Sequence, residues 1–320
     1  MKTNPKILYI RVSENCNSHC FMCHYAGKND SYNITLEQYQ KVLRYAKKNN
    51  IRMIRFTGGE PLIHKDIITF INMAHDNNFE SSIITNGFLL DKYASELTNL
   101  DECIISLDGS NETIHDSLRN FKGCFNHIKE GIKLIKDYNK NILLRVNTVV
   151  SGRNIHDLPN IYKLLLEWNI NQWSIIPIKS KESTWNESNI KDYYTFMEII
   201  KNNDDTKLEF LGYSKVFAGA TPKEIEETFN NNSRIKSKDT CHVVDYVRFY
   251  IPDQDLIVPC NCLAHRLNKI PVELNKSIEE NCNNIRDYIK EHSNECTGCE
   301  PLNVYINDHP EIMLEDKIRY

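Results

Sequence analysis

No stretch of this 320-residue chain approaches the length of a membrane span, and the segment ahead of its first apolar run, Met1 to Lys6, is too short and too polar for a signal peptide. Both absences lead to the expectation of a cytoplasmic protein. A basic stripe is missing as well: 39 Lys and Arg are interspersed with 43 Asp and Glu, for a net charge of -4. That balance argues against nucleic acid or an anionic membrane as a general partner. Disulfides are not expected in the cytoplasm, so the 11 cysteines, which are clustered, are read as metal or redox groups.

The densest cluster is Cys16-Asn17-Ser18-His19-Cys20-Phe21-Met22-Cys23, directly after the apolar run 7–12. Three thiolates in eight residues can wrap one face of a compact metal centre, but they leave a coordination position open. Structural zinc favours a closed tetrahedron, often from two C-x-x-C pairs, whereas soft thiolates also hold iron–sulfur clusters. On these residues alone, a zinc loop and three buried free thiols remain alternatives. Downstream, Thr57-Gly58-Gly59-Glu60-Pro61 closes a second apolar run. Its paired glycines let the backbone approach a ligand closely, and Glu60 adds a carboxylate.

Short apolar runs at 7–12, 53–57, 82–85, 103–107, 142–149 and 173–178 alternate with helical patterns. Thr35-Leu36-Glu37-Gln38 is a capping box, and Ile67, Ile71 and Ala74 form an apolar stripe. Phe125, Ile128, Ile132 and Ile135 form another, as do Leu158, Ile161, Leu165 and Trp168. Six βα units predict an α/β fold, a partial (β/α)6 barrel with its chemistry at the carboxyl ends of the strands. There Ser106 and Asp108 share one strand face, as do Arg145 and Asn147. Each either faces the barrel mouth or is a satisfied polar group at a strand end.

The last eighty residues hold Cys241, Cys260, Cys262, Cys282, Cys296 and Cys299. Two β-like runs, 243–251 and 255–258, flank Pro252-Asp253-Gln254, so a hairpin can bring its bordering cysteines together and Cys296-x-x-Cys299 can complete the set. Such a knuckle also suits zinc. Cys103, Cys124 and Cys282 read as small buried hydrophobes. The expected organisation is a barrel core at 1–180, a connecting, substrate-facing segment at 181–239, a cysteine-bearing unit at 240–300 and a tail at 301–320.

The C-x3-C-x2-C spacing followed by Thr57-Gly58-Gly59-Glu60-Pro61 resembles the radical S-adenosylmethionine (SAM) superfamily. The carboxy-terminal cysteines are similar to its twitch domain, a shortened SPASM extension. The resemblance implies a TIM-type partial barrel with a small β-hairpin/helix twitch domain. Cys16, Cys20 and Cys23 would bind a [4Fe–4S] cluster whose fourth iron takes SAM. Gly58, Gly59 and Glu60 would hold the amino group of SAM, while Thr85, Asn86, Ser106, Asp108, Arg119 and Asn147 approach the rest of the cofactor. Met22 stands where the family usually has an aromatic near the adenine, with the aromatic shifted to Phe21. Cys241, Cys260, Cys296 and Cys299 would carry an auxiliary [4Fe–4S] cluster. Cys262 would either replace Cys260 as ligand or return a hydrogen atom to a substrate radical. The implied reaction is SAM cleavage to a 5′-deoxyadenosyl radical, with an electron donor such as flavodoxin or ferredoxin, and oxidation or epimerisation of a sugar or aminocyclitol. Modification of a ribosomally made peptide is the alternative, although only six residues precede the first strand, too few for an amino-terminal peptide-recognition domain. A non-catalytic electron carrier would have no use for the open-sited loop.

Overall fold

The computed structural model describes residues 7–23, 25–29, 32–177, 186–201 and 207–211, the strand segments 247–251 and 256–258, and parts of 274–287. Seven strands run parallel in one sheet in chain order: β1 (Ile7–Ser13), β2 (Met53–Gly58), β3 (Glu80–Thr85), β4 (Glu102–Ser106), β5 (Leu143–Val150), β6 (Gln172–Pro177) and β7 (Glu209–Leu211). Beyond β1 the sheet continues with β8 (Val247–Ile251), parallel to β1, and β9 (Leu256–Val258), antiparallel to β8. The result is an open partial barrel. The expected hairpin is present as β8 and β9, and it prolongs the barrel sheet. β7 is an addition to the six strands read from sequence.

The crossovers are α1 (Leu36–Lys48), α2 (Ile67–Asp76), α3 (Leu90–Tyr93), α4 (Glu112–Arg119), α5 (Cys124–Tyr138) and α6 (Leu158–Glu167), followed by α7 (Glu187–Lys201). Helix α1 starts at the anticipated capping box: Gln38 N donates to Thr35 Oγ1, and Thr35 N donates to Gln38 Oε1. None of the described helices is long and apolar enough to cross a membrane.

Strand alternation divides the sheet into two chemically different faces. Leu8, Ile10, Val12, Ile54, Phe56, Ile83, Cys103, Ile105, Leu107, Leu144, Val146, Trp173 and Ile175 point outward, fully buried, into one apolar core with the helices. The inner face carries the polar residues Tyr9, Arg11, Arg55, Thr57, Ser82, Glu102, Ser106, Arg145, Asn147 and Ser174 together with the apolar Met53, Ile84, Ile104, Leu143, Val149 and Ile176. The usual barrel interior is packed with bulky branched side chains; this one sets polar and charged groups among them. Low in the barrel, the register sets Tyr9 beside Arg55, Arg55 beside Ser82 and Ser82 beside Glu102. These four are buried and hydrogen-bonded into a floor. Nearer the carboxyl ends, Thr57, Ser106 and Asn147 are partly exposed, as are Ile84, Val149 and Ile176, so the inner face opens on that side with both polar and apolar groups.

Candidate active site

At the open end, the cysteine loop leaves β1 and folds back on itself. Cys16 N donates to Lys28 O at 2.7 Å and Gly27 N to Ser18 O at 2.8 Å, and a bridge between Ser13 and Asn33 closes the base. Cys16 and Cys20 are buried and Cys23 is half-buried. The Ser18 hydroxyl lies between two of the sulfurs, 3.2 Å from Cys16 Sγ and 3.4 Å from Cys20 Sγ; Tyr25 N donates to Cys23 Sγ at 3.4 Å. Burial pushes the Cys16 and Cys23 thiols above their ordinary range. Among the described residues, no three His, Cys, Asp or Glu side chains converge as the ligands of a single ion would. A cluster takes each thiolate on a different iron, so three soft donors spread along one loop, with N–H and O–H groups turned to their sulfurs, fit it better than zinc.

The loop is pinned across the barrel mouth strand by strand. Gly59 N donates to Ser13 O (2.9 Å) and Glu60 N to Asn15 O (2.8 Å), at the end of β2. Asn86, after β3, donates from Nδ2 to Asn17 Oδ1 at 2.8 Å. Arg119, at the end of α4, donates from Nη1 to Cys20 Sγ at 3.8 Å. Arg153, after β5, lies 4.5 Å over the Phe21 ring, a cation–π contact.

This pinning changes the meaning of the Gly-Gly turn. From sequence, the glycines make room for a ligand; in the structure, that room is filled by the chain itself. A Cβ on Gly58 would lie 2.0 Å from Ser13 O, and one on Gly59 would lie 2.1 Å from Asn15 O. Gly58 also has φ of +137°, the region that favours glycine.

Most of the polar residues assigned to SAM from sequence bond to one another. Glu60, almost wholly buried, accepts from Leu62 N (3.0 Å) and Thr85 Oγ1 (2.7 Å) on one oxygen and from Asn86 N (2.6 Å) on the other. Burial pushes its pKa up to about 7, with those hydrogen bonds and Arg119 working in the opposite direction. Asp108 is fully buried: its Oδ1 accepts from Val149 N at 2.8 Å and its Oδ2 lies 2.6 Å from Arg119 Nε. Burial raises the Asp108 carboxyl, and Arg119 opposes the shift. His115 Nδ1 accepts from Asp108 N at 3.1 Å, and burial holds this histidine neutral, its pKa lowered to about 3. Ser106 and Asn147 are partners in register on the inner face and keep some exposure, and Met22 is half-buried in the loop. Asn147 Oδ1 accepts from Arg145 Nε at 3.1 Å.

Sequence reasoning passed over Asn17, Ser18 and Asn154. Asn154 donates from Nδ2 to Asp108 O and Val149 O, joining the ends of β4 and β5. Only the Asn-Ser pair set between cysteines offered a signal. Cys103 and Cys124 are buried as expected, their thiols pushed up by burial. Cys241, Cys260, Cys262, Cys282, Cys296 and Cys299 lie outside the described residues.

A family model described as the Radical SAM superfamily matches residues 10–165. A protein of Methanocaldococcus jannaschii named "Probable GTP 3′,8-cyclase" is 30% identical over 210 residues, which cover 63% of this chain and 67% of that one. Relatives of the same name in two other archaea are matched over 56% and 69% of their lengths. Among solved structures, Streptococcus suis SuiB bound to S-adenosylmethionine superposes with a TM-score of 0.67 at 17% identity, covering 94% of this chain and 72% of that one. Native anSMEcpe with bound AdoMet and Cp18Cys peptide gives 0.67 at 18% identity, covering 94% and 87%. At such identities the two superpositions bear on the fold alone.

Proposed function

The chain belongs to the radical SAM superfamily, and from that premise we propose that Cys16, Cys20 and Cys23 hold a [4Fe–4S] cluster serving chemistry on a small polar substrate in the barrel lumen. When bound and given one electron by an external donor, the cluster and SAM would supply a 5′-deoxyadenosyl radical, with methionine as the other product, for removal of a hydrogen atom from a substrate carbon. The observation that carries the substrate reading is the set of polar groups on the inner face, Thr57, Ser106 and Asn147 partly exposed toward the strand ends and Tyr9, Arg55, Ser82 and Glu102 buried below them. Hydroxyls, amides and ions of a sugar or aminocyclitol find partners in such a lumen, whereas an apolar substrate would strand them. The relatives' name adds GTP to the candidates. Cys241, Cys260, Cys296 and Cys299 would bind a second cluster able to accept an electron in an oxidation, and Cys262 would return hydrogen in an epimerisation.

The test is anaerobic reconstitution of the full chain. Iron and sulfide for two [4Fe–4S] clusters are expected, with 5′-deoxyadenosine formed from SAM under reduction. Replacing Cys16, Cys20 and Cys23 together by Ala should remove one cluster and all SAM cleavage. Turnover across a panel of aminocyclitols, sugars, GTP and peptides then sorts the substrates by the 5′-deoxyadenosine that each adds. Zinc at the three-cysteine loop of iron-supplied protein would end the proposal.

Glu60 supplies a pH test of its assigned contact with the SAM ammonium. A carboxyl with pKa near 7 is protonated below that pH and pairs with a cation only above it. SAM affinity of the wild type should therefore rise between pH 6 and 8, and Glu60→Gln should bind more weakly and without that rise. Equilibrium dialysis at three pH values measures it; equal, parallel affinities would remove Glu60 from the binding site.

A further inference from the structure

We propose that Asn17 and Asn86 form a clasp that positions the cysteine loop on the barrel, with Asn86 acting as a positioning residue rather than as a contact for SAM. The inference rests on the reading of the three thiols as cluster ligands. Asn17 lies between the first two of them, next to the hydroxyl that touches both sulfurs. It is held from 69 residues away by the Asn86 amide at 2.8 Å.

The sense of this hydrogen bond follows from its neighbours. Asn86 Oδ1 accepts from Phe88 N at 3.0 Å, so the amide oxygen faces the backbone and the NH2 group faces the loop. Asn17 must then offer its oxygen. The Asn86 backbone is equally committed: its N donates to Glu60 Oε2, and its O accepts from Cys124 Sγ at 3.4 Å, at the start of α5. One residue thus connects the end of β3, the acid after β2, the start of α5 and the thiol loop. Only its side-chain NH2 reaches the loop. Removing that group should loosen the loop, which keeps its other contacts to the barrel, and leave the barrel standing.

Amide hydrogen exchange and iron release from the intact, reconstituted chain test the clasp together. Asn17→Ala should speed exchange in 14–28 by about five- to tenfold, the worth of one buried hydrogen bond, with exchange in β1 to β4 unchanged. Iron loss to a chelator should accelerate by a similar factor, and the reduced cluster should show a broadened EPR signal in the presence of SAM. In the loop, Asn86→Ala should match Asn17→Ala, with an added local change at Phe88, whose N–H loses its acceptor, and the double variant should leave the loop no looser than either. Donor sense gives a sharper contrast. Asn17→Asp retains an acceptor and should exchange within about twofold of wild type, whereas Asn86→Asp sets oxygen against oxygen and should behave like Asn86→Ala. Multiplying effects in the double variant, equal behaviour of the two Asp variants, or wild-type exchange in Asn17→Ala would each overturn the clasp. If Asn86→Ala does not fold, Asn17→Ala and Asn17→Asp, which alter only the loop, decide the question. The exchange readout does not depend on the cluster. A wild type that binds no iron, while Asn17→Ala still loosens the loop, would sink the functional reading and leave the clasp in place.

Discussion

Gly58→Ala should lower the melting temperature by about 5–10 °C and strip iron from the amino-terminal cluster site. The added methyl would have to occupy a point 2.0 Å from Ser13 O, and the obstacle is backbone at the root of the cysteine loop, which no rotamer change can move. Overpacking of this kind costs about 1–3 kcal/mol and the backbone conformation about as much again; each kcal/mol is worth about 2–4 °C in a domain somewhat smaller than this one. Gly123→Ala separates the two contributions. Gly123 also has positive φ, at +82°, but nothing lies within 4 Å of its would-be Cβ. It should lose only about 1–2 kcal/mol to strain and keep its iron. If both variants melt alike and both keep their clusters, the close approach of β2 to the loop is not what glycine serves here. Calorimetry and iron content on the two proteins settle the comparison.

The strands of the barrel were legible in the sequence because each buries an apolar residue at every second position against the helices outside. The outward sets Leu8-Ile10-Val12, Cys103-Ile105-Leu107 and Leu144-Val146 all have zero exposure. β7 escaped because Glu209, Phe210 and Leu211 are too few to show a period. The hairpin of β8 and β9 was readable from its turn, but its seat beside β1 was not, since that pairing joins Ile7 to Val247 across most of the chain. The site divides in the same way. Spacing singles out Cys16, Cys20, Cys23 and the Gly-Gly-Glu turn, whereas the packing of the two glycines on the loop backbone and the bond between Asn17 and Asn86 are properties of the folded chain. Arg145 stood out as an arginine in an apolar strand; Arg55, in Met-Ile-Arg-Phe, carried the same signal and belongs to the same polar interior.

That interior makes Glu102→Ala the second large effect, a loss of about 3–5 kcal/mol. Glu102 and Arg55 are both buried, with Glu102 Oε2 2.5 Å from Arg55 Nη2 and 2.7 Å from Ser82 Oγ. Arg55 Nη1 donates to Tyr9 Oη at 2.8 Å and Nε to Ser82 Oγ at 3.1 Å. Removing the carboxylate leaves a guanidinium in the barrel floor with hydroxyls for company and no counter-charge, which costs far more than the pair contributes while intact. The melting temperature should fall by roughly 10 °C. In Arg55→Met/Glu102→Leu the Arg55 charge is gone, while the hydroxyls of Tyr9 and Ser82 lose partners and Arg145 loses a nearby carboxylate, so the double variant should recover part of the loss. Acid provides an independent check. Burial acts to raise the Glu102 carboxyl, but Arg55 and Arg145 outweigh it and hold it below the ordinary carboxylate value. A depressed carboxyl stabilises the fold above its unfolded pKa, and that contribution fades as pH falls through the folded one. Stability of the wild type should therefore decline below about pH 4.5 more steeply than that of the double variant, whose floor has no carboxyl to protonate. A double variant as unstable as the sum of its two single variants, with an acid limb as steep as wild type, would mean that the floor is held by packing rather than by charge.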